Sequence, residues 1–289
     1  MKLQLRELTD TRCSFVVDDV RPDIVNTLRR TLISRVPKMA IDEVEFHMGP
    51  IRDEEGREYD SNSALFDEII AHRLSMVPIP TDLENFTFRD QCECGGSGCP
   101  HCTIIYVLNK KGPCTVYSGD LQPLGDMSLK IKEELIPIVK LKEKQALLIY
   151  ATAVMGRGKE HAKWQPVTVC GYMNYPKVTV HDDVEVEDLE AVKALFPEGV
   201  FEIENGKLVM KDIIPLEKKD PTYYDLPVLE SVDDSGRKIV ELGYEDNKFV
   251  FNFETDGSIT AKEALTYALN HLQEKFEAIR DDISGLDET

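Results

Sequence analysis

Residues 22–41, PDIVNTLRRTLISRVPKMAI, are the stretch from which the fold of the chain is best predicted. A helix is predicted from residue 22 to residue 36, because proline suits the first helical position and Asp23 lies at the positive end of the helix dipole. Pro37 then ends the helix. One arc of this helix is apolar and holds Ile24, Val25, Leu28, Leu32 and Val36. Ile33 lies outside the arc, so the helix either packs against two partners or is a core helix with one exposed isoleucine.

A second helix is predicted over residues 63–75 of the stretch SALFDEIIAHRLS. Ser63 is the candidate N-cap. The apolar side of this helix consists of Leu65, Ile69, Ile70 and Leu74. The titratable residues Asp67, Glu68, His72 and Arg73 suggest a catalytic group, but pairing of Glu68 with His72 one helical turn later is the favoured explanation.

The sequence also predicts strands and a helix near the two ends of the chain. Residues 1–17 alternate in places, which predicts two strands joined around Thr9 and Asp10, and further strands are predicted at 39–41 and 44–48. Near the other end a strand is predicted at 248–254, and Thr260 and Glu263 then form a capping-box pattern that opens a helix to about residue 280. The apolar positions of that helix step by four and three: Ala261, Leu265, Ala268, Leu272, Phe276 and Ile279. Such a seam suits another helix, in the same domain or in a partner.

Composition limits the function. The 289 residues suffice for two or three domains, and 34 basic against 53 acidic residues give a net charge of −19. A surface this acidic repels a phosphate backbone, so direct binding of nucleic acid is not expected. The chain has no apolar run long enough to span a membrane and no signal-peptide pattern at residue 1, so a cytoplasmic protein is expected.

Four of the seven cysteines crowd into the loop CECGGSGCPHC: Cys92, Cys94, Cys99 and Cys102. Thiolates suit tetrahedral zinc or iron–sulfur chemistry, and the three glycines of the loop allow it to fold back around one ion. A metal site is therefore predicted, with one zinc ion preferred because the loop is compact and the cytosol is reducing.

The same loop supports an alternative from another functional class. The run from Cys99 to Cys102, CPHC, matches the active site of DsbA-type thiol oxidases, so a thiol–disulfide or electron-transfer protein is the second hypothesis. Those enzymes activate the first cysteine at the N-terminus of a helix. Here residues 103–108, TIIYVL, predict a strand, and the two upstream cysteines have no role in two-thiol chemistry.

The order of these stretches resembles the α-subunit family of multisubunit RNA polymerases, and in particular its archaeal D-type members. The resemblance rests on the helix that ends at Val36-Pro37, on residues 64–80, on Val116-Tyr117-Ser118, on residues 156–166 (GRGKEHAKWQP) and on residues 249–279. Residues 156–159 also invite a phosphate-loop interpretation, which fails because Glu160 replaces the required serine or threonine. The resemblance to the α-subunit family implies that residues 156–159, with His161, Lys163 and Trp164, form a loop that faces other subunits.

The resemblance implies an α+β fold with three parts. Residues 1–46 and 225–289 would form the dimerisation domain, and residues 47–169 an inserted, mostly β domain that carries the four-cysteine loop. Residues 170–224 would be a ferredoxin-like insertion. In many relatives this insertion binds iron–sulfur clusters through a cysteine-rich run, but Phe196 stands where the cysteine before proline would be. No iron–sulfur cluster is therefore expected, whereas the zinc loop of related eukaryotic subunits strengthens the preference for zinc.

The resemblance also implies a role without catalytic residues, as an assembly scaffold in a nucleotidyltransferase complex. The partners would be a smaller α-like subunit, L, with small subunits N and P and the two large catalytic subunits. Contacts to a large subunit are expected from Asn26, Arg29 and Arg30. The dimer interface is expected to hold Leu28, Leu32, Leu265, Leu272, Phe276 and Ile279.

Overall fold

The computed structural model describes residues 1–52, 54–180, 189–194, 196–211 and 240–286. Contacts divide the described residues into two compact units. One unit draws on residues 1–4, 16–22 and 172–250, and the other on residues 5–15, 23–171 and 251–289. The four-cysteine loop and the C-terminal helix lie in the second unit.

The described residues form both helices and mostly antiparallel strands, which confirms the predicted α+β class. The helices are α1 (Pro22–Ser34), α2 (Asp67–Ser75), α3 (Leu189–Ala194) and α4 (Ala261–Leu286). The strands are β1 (Lys2–Leu8), β2 (Arg12–Asp18), β3 (Pro37–Phe46), β4 (Ile51–Arg52), β5 (Glu58–Tyr59), β6 (Thr103–Lys111), β7 (Cys114–Tyr117), β8 (Gln122–Pro123), β9 (Pro137–Leu141), β10 (Ala146–Arg157), β11 (Val167–Val180), β12 (Phe201–Glu204), β13 (Lys207–Met210) and β14 (Val240–Thr255). Short 3-10 helices cover Ser118–Asp120, Met127–Leu129 and Ala162–Trp164.

Strands from both chain ends form one sheet, in the order β1-β2-β14-β11. The predicted pair of N-terminal strands is confirmed, and the turn between them is closed by hydrogen bonds between Thr9 and Arg12 in both directions. Phe15 of β2 stacks on Phe251 of β14 with ring centroids 5.1 Å apart. The last strand of the prediction is also present, but β14 begins at Val240 rather than at residue 248.

Helix α1 is confirmed and ends at Ser34, two residues before the predicted end. Of its predicted arc, Val25 and Leu32 are buried, whereas Ile24 is exposed and Leu28 is half-buried. Ile33, outside the arc, is also half-buried. Pro37 lies beyond the end of the helix and begins β3.

Residues 37–46 form one strand, so the predicted division into strands at 39–41 and 44–48 is wrong. Pairing with β10 continues through an irregularity, because Ala153 opposes Ile41 while Thr152 opposes Glu43. Asp42 is thus the extra residue of a β-bulge, which bends a strand without ending it.

Helix α2 begins at Asp67 and not at residue 63, so the prediction of Ser63 as its N-cap is wrong. The N-cap position is taken by Phe66, which makes no side-chain cap. The Ser63 hydroxyl instead exchanges hydrogen bonds with the backbone of Leu65, a local turn that competes with helix formation. Ile70 and Leu74 are buried as expected, and Ile69 is exposed.

The main core of the second unit lies on a sheet of order β3-β10-β6-β8. Helix α2 packs against β3 and delivers Ile70 and Leu74 to this core, in which Tyr106 of β6 and Ile149 of β10 are also fully buried. Arg73 of α2 donates hydrogen bonds to the backbone carbonyls of Pro137 and Ile138. The guanidinium therefore fastens α2 to β9, which is a structural rather than a catalytic role.

A buried ion pair ties the start of β3 to the turn before α4. Lys38 Nζ contacts the Asp256 carboxylate, and both side chains are almost entirely removed from solvent. Asp256 also accepts a hydrogen bond from the Ser258 backbone N–H at 3.0 Å, which holds the turn. Two residues 218 positions apart in the chain are joined in this way.

Part of the predicted insertion lies within the described ranges. Helix α3 is followed by the antiparallel hairpin β12–β13, and Phe196 packs edge-on against Phe201 at a centroid distance of 4.7 Å. Phe196 is buried, so it serves as an anchor of a small core in this part of the chain. Residues 181–188, 195 and 212–224 of the predicted insertion lie outside the described residues.

Helix α4 starts with the predicted capping box. The Glu263 carboxylate accepts hydrogen bonds from the Thr260 backbone N–H at 2.9 Å and from the Thr260 hydroxyl at 2.7 Å, and the Glu263 N–H donates back to that hydroxyl. The helix runs to Leu286, beyond the predicted end near residue 280. Within the described ranges, no helix combines the length and apolarity that crossing a bilayer needs.

Candidate functional site

The four-cysteine loop lies between α2 and β6 and is anchored to the main core. The Thr81 hydroxyl accepts a hydrogen bond from the Met39 backbone N–H of β3, and the Thr87 N–H donates to the His101 carbonyl at 2.9 Å. Arg89 donates from Nε to the Gly96 carbonyl at 3.0 Å and lies 3.4 Å from Glu43 of β3. The loop is thus held at both ends and at its tip.

Glycine is needed at the tip of this loop. Gly95, Gly96 and Gly98 all have positive φ, with values of 63°, 84° and 86°. Residues with a side chain rarely adopt this conformation, so the glycines allow the chain to reverse direction within a few residues. This reversal brings the first pair of cysteines onto the second pair.

The four sulfur atoms converge on one point. All four Sγ atoms lie within 4.8 Å of one another. The closest Sγ–Sγ distances are 3.5 Å for Cys92 and Cys99, 3.7 Å for Cys94 and Cys102, and 3.9 Å for Cys99 and Cys102. None of the seven cysteines forms a disulfide.

This spacing fits a single tetrahedral ion. Zinc–sulfur bonds of about 2.3 Å in a tetrahedron place the sulfur atoms about 3.8 Å apart. The observed separations lie on both sides of that value. Four soft donors held at this spacing form a cradle for one thiophilic metal ion, and the predicted metal ligands are brought together.

Crowding also separates the proton affinities of the thiols. Hydrogen bonds from the Cys99 backbone N–H and from the Cys92 thiol lower the pKa of Cys94 to about 5, although burial opposes them. The His101 backbone N–H alone lowers the pKa of Cys99. The Cys92 thiol, burial and the other two cysteines outweigh it and raise that pKa to about 11.

The thiol-oxidase hypothesis does not fit this geometry. Thr103, directly after Cys102, begins strand β6, so no helix N-terminus stabilises a Cys99 thiolate. Cys102 is fully buried, so its sulfur is not accessible to a substrate disulfide.

The segment 156–166 lies against the C-terminal end of α1. The Lys159 N–H donates to the Ser34 carbonyl at 3.0 Å, which satisfies one of the carbonyls that a helix end leaves free. Trp164 packs so closely on Gly156 that a Cβ at that glycine would lie 2.3 Å from the indole ring. The Trp164 indole N–H donates to the Val154 carbonyl, and the Lys163 ammonium lies 4.4 Å from the centre of the ring.

The predicted large-subunit contacts lie on an accessible side of α1. Arg30 is exposed, and Asn26 and Arg29 are half-buried. Arg29 donates from Nε to the Asn26 side-chain oxygen at 3.1 Å, so the two side chains are held together. Burial raises the pKa of Cys170 on β11 to about 12, while the nearby Arg29 guanidinium lowers it.

Helix α4 carries an exposed apolar stripe. Ala261, Ala264 and Ala268 bury one face of its first half. Beside that face, six apolar residues follow one another along the helix, here termed the α4 stripe: Leu265, Leu269, Leu272, Phe276, Ile279 and Ile283. The side chains of Phe276, Ile279 and Ile283 are 61%, 53% and 58% exposed.

The residues expected in the dimer interface differ in their accessibility. Leu265, Leu272 and Leu28 are half-buried, whereas Phe276 and Ile279 are exposed. Leu32 is fully buried in the core of the chain itself, so a partner would contact the surface around it rather than Leu32. Leu269 and Ile283 were not among the expected residues, although they continue the same spacing.

Comparison with known proteins places these features in a family. The family model of the RNA polymerase Rpb3/Rpb11 dimerisation domain matches residues 14–276. DNA-directed RNA polymerase subunit Rpo3 of Thermoplasma volcanium is 42% identical over 284 residues, which cover 98% of this chain and 100% of that protein. The subunits Rpo3 of Picrophilus torridus and Methanosphaera stadtmanae are 42% and 35% identical, and the matches cover 98% and 96% of this chain and 99% and 97% of those proteins.

Proposed function

The chain belongs to the family of RNA polymerase subunits with the Rpb3/Rpb11 dimerisation domain, and we propose that it is the D-type assembly subunit of an archaeal RNA polymerase. It is an assembly subunit of DNA-directed RNA polymerase and thus part of a nucleotidyltransferase complex, not a thiol oxidase. The observation that carries this conclusion is the match along nearly the whole chain to subunits named Rpo3.

The mechanism that we propose is scaffolding. The α4 stripe presents apolar side chains in a continuous row, and exposed apolar surface of this kind marks an interaction site. Its proposed partner is the smaller α-like subunit L, whose own helices would cover Phe276 and Ile279 together with Leu265, Leu272 and the half-buried Leu28. The heterodimer would then dock small subunits N and P.

A second surface is proposed for a large catalytic subunit. Asn26, Arg29 and Arg30 lie on one side of α1, where two guanidinium groups can bind carboxylates or backbone carbonyls of a partner. The Asn26–Arg29 hydrogen bond holds one of these groups in place before binding. Because the chain carries a net charge of −19, we propose that it contacts protein subunits and does not grip the nucleic acid.

We propose that Cys92, Cys94, Cys99 and Cys102 bind one structural zinc ion. Four thiolates with no open position form the ligand set of a closed structural site, and metal binding would contribute directly to the stability of the loop. An iron–sulfur cluster is not expected in the insertion, because Phe196 occupies a core position there. The protein is proposed to be cytoplasmic.

The domain organisation is also a proposal. Residues 1–46 and 225–289 would form the dimerisation domain, residues 47–169 the inserted domain with the metal loop, and residues 170–224 a ferredoxin-like insertion. The hairpin β12–β13 and the buried Phe196–Phe201 pair support a small separate core within the insertion.

Purification of the tagged, full-length protein from its native cells tests the assignment. Mass spectrometry of the bound proteins should identify subunit L, subunits N and P and both large subunits in a stoichiometric complex. Recovery of the protein without any polymerase subunit would contradict the proposed function.

A further inference from the structure

A groove between α1 and α4 is lined by several positively charged side chains that form no ion pair within the described residues. The groove is lined from α1 by Thr27, Arg30, Thr31, Ser34 and Arg35, and from α4 by His271, Leu272 and Lys275. His271 and Lys275 follow Ala264 at spacings of seven and eleven residues, so they continue the face of α4 that is buried further up the helix. The groove therefore continues the buried face of α4 toward the end of the helix, with α1 as its other wall.

The cations of this groove have no anionic partner. Among the residues that the structure describes, none forms an ion pair with Arg30, Arg35 or Lys275, and no acidic side chain lines the groove. This is unusual for a chain in which acidic residues outnumber basic ones by 53 to 34. Like charges that lie close together without an ion-pair partner repel one another, and an anion in the groove would reduce that repulsion.

A buried polar atom in the same groove also lacks a partner. The Nε2 atom of His271 is removed from solvent and makes no hydrogen bond within the described part of the chain. Burial lowers the pKa of His271, and the charges of Lys275, Arg35 and Arg157 lower it further, while Glu274 opposes them. A buried polar atom without a partner is costly, so this position favours a ligand that supplies a hydrogen bond.

Two of the three hydroxyl groups of the groove are already engaged. Thr27 donates to the Asp23 carbonyl at 2.7 Å, and Ser34 donates to the Arg30 carbonyl at 2.6 Å, both within α1. The remaining donors are the Thr31 hydroxyl, the two guanidinium groups, the Lys275 ammonium and the His271 ring. Guanidinium groups bind planar, two-oxygen anions particularly well, because two parallel N–H donors match two oxygens.

We propose that this groove is a carboxylate-recognition site, in which Arg35, Lys275 and His271 take an acidic side chain of the partner subunit that covers the α4 stripe. The inference rests on the proposed function, because it takes subunit L as that partner. Leu272 belongs both to the groove and to the stripe, so the two surfaces are continuous, and one protein partner can cover both. A nucleic-acid backbone offers no apolar surface for the stripe, and the overall charge of the chain repels it.

Titration of the full-length protein with purified subunit L, at low and at high salt, tests the proposal. The double variant Arg35→Gln, Lys275→Gln should bind subunit L about tenfold more weakly at low salt, and the difference should shrink as salt screens the charges. Lys142→Gln, Lys144→Gln is the matched control, because it removes two exposed charges from the turn after β9. The control should bind like the wild type.

A single variant distinguishes a loss of binding from a folding defect. Lys275 is exposed, so Lys275→Glu should keep the wild-type melting temperature and still weaken binding of subunit L. Equal affinity of wild type, double variant and Lys275→Glu would overturn the groove proposal and leave the proposed function intact. Failure of the wild type itself to bind subunit L would overturn both. If the double variant instead loses affinity only for a single-stranded RNA oligonucleotide, the groove is a nucleic-acid site and the proposal is wrong.

Discussion

The Ile33 carbonyl near the end of α1 lies so close to Gly158 that a Cβ on Gly158 would come within 2.2 Å of it. Only glycine allows the backbone of segment 156–166 to approach the helix end at this distance. The same approach brings the Lys159 N–H to the Ser34 carbonyl. The glycine is therefore needed for packing against α1 and not for binding a phosphate.

Gly158→Ala should destabilise the protein by about 1–3 kcal/mol, because the added methyl group forces the loop away from backbone atoms that cannot yield. Gly171→Ala is the control, since a Cβ there meets no atom within 4 Å. Thermal unfolding should show a lower midpoint for the first variant only. Equal midpoints for both would mean that the loop does not pack on α1 as described.

Lys38→Met should cost about 3–5 kcal/mol, because it leaves the buried Asp256 carboxylate without its cation. Adding Asp256→Asn should recover part of the loss, since the unpaired charge is then gone. Chemical denaturation of the wild type, the single and the double variant measures this. A single variant as stable as the wild type would show that the pair is not buried in solution.

The metal loop gives a prediction that does not depend on polymerase partners. Cys94→Ser, Cys99→Ser should lose the bound metal and lower the melting temperature, because a structural zinc ion contributes free energy of folding. Cys114→Ser, outside the cluster, should keep both. Metal analysis of the wild type should give one zinc ion per chain. Unchanged metal content in the double variant, or a stoichiometric iron–sulfur cluster after anaerobic reconstitution, would contradict the zinc assignment.

Local patterns predicted much of the fold. The Pro22 start of α1, the Thr260–Glu263 capping box and the four-cysteine loop are all set by residues within a few positions of one another. The same kind of reasoning failed at Ser63, where a local turn of the serine competes with the helix. It also failed at Asp42, because a bulge is decided by the opposite strand and not by the sequence of β3 itself.

Long-range contacts could not be predicted in this way. The Lys38–Asp256 pair and the Ile33–Gly158 approach join residues far apart in the chain, and no local spacing links them. The role of Arg89 at the Gly96 carbonyl was missed for the same reason, since one arginine before a cysteine loop has no distinguishing pattern. The groove beside His271 likewise exists only because α1 and α4 lie side by side, which no local spacing predicts.

Phe276→Asp should abolish or strongly weaken pairing with subunit L, because it would place an unpaired charge in an apolar interface. Phe276 is exposed in the chain itself, so the substitution should leave the fold intact. Asn270→Asp adds the same charge on another side of α4 and should pair normally. Co-elution on a sizing column is the measurement, and wild-type co-elution of Phe276→Asp would exclude the stripe as the interface.

The most direct test of assembly without catalysis is to reconstitute the complete polymerase with Arg29→Ala, Arg30→Ala, and to measure both its yield and the specific activity of each assembled complex. Arg30 is exposed and Arg29 bonds only to Asn26 among the described side chains, so the fold and the pairing with subunit L should survive. We expect a lower yield, because the loss of both arginines should weaken capture of a large subunit by about 2 kcal/mol or more, as for interface hot spots. The activity per assembled complex should be normal. Normal yield with sharply reduced activity per complex would contradict the scaffold role and indicate a direct part in catalysis.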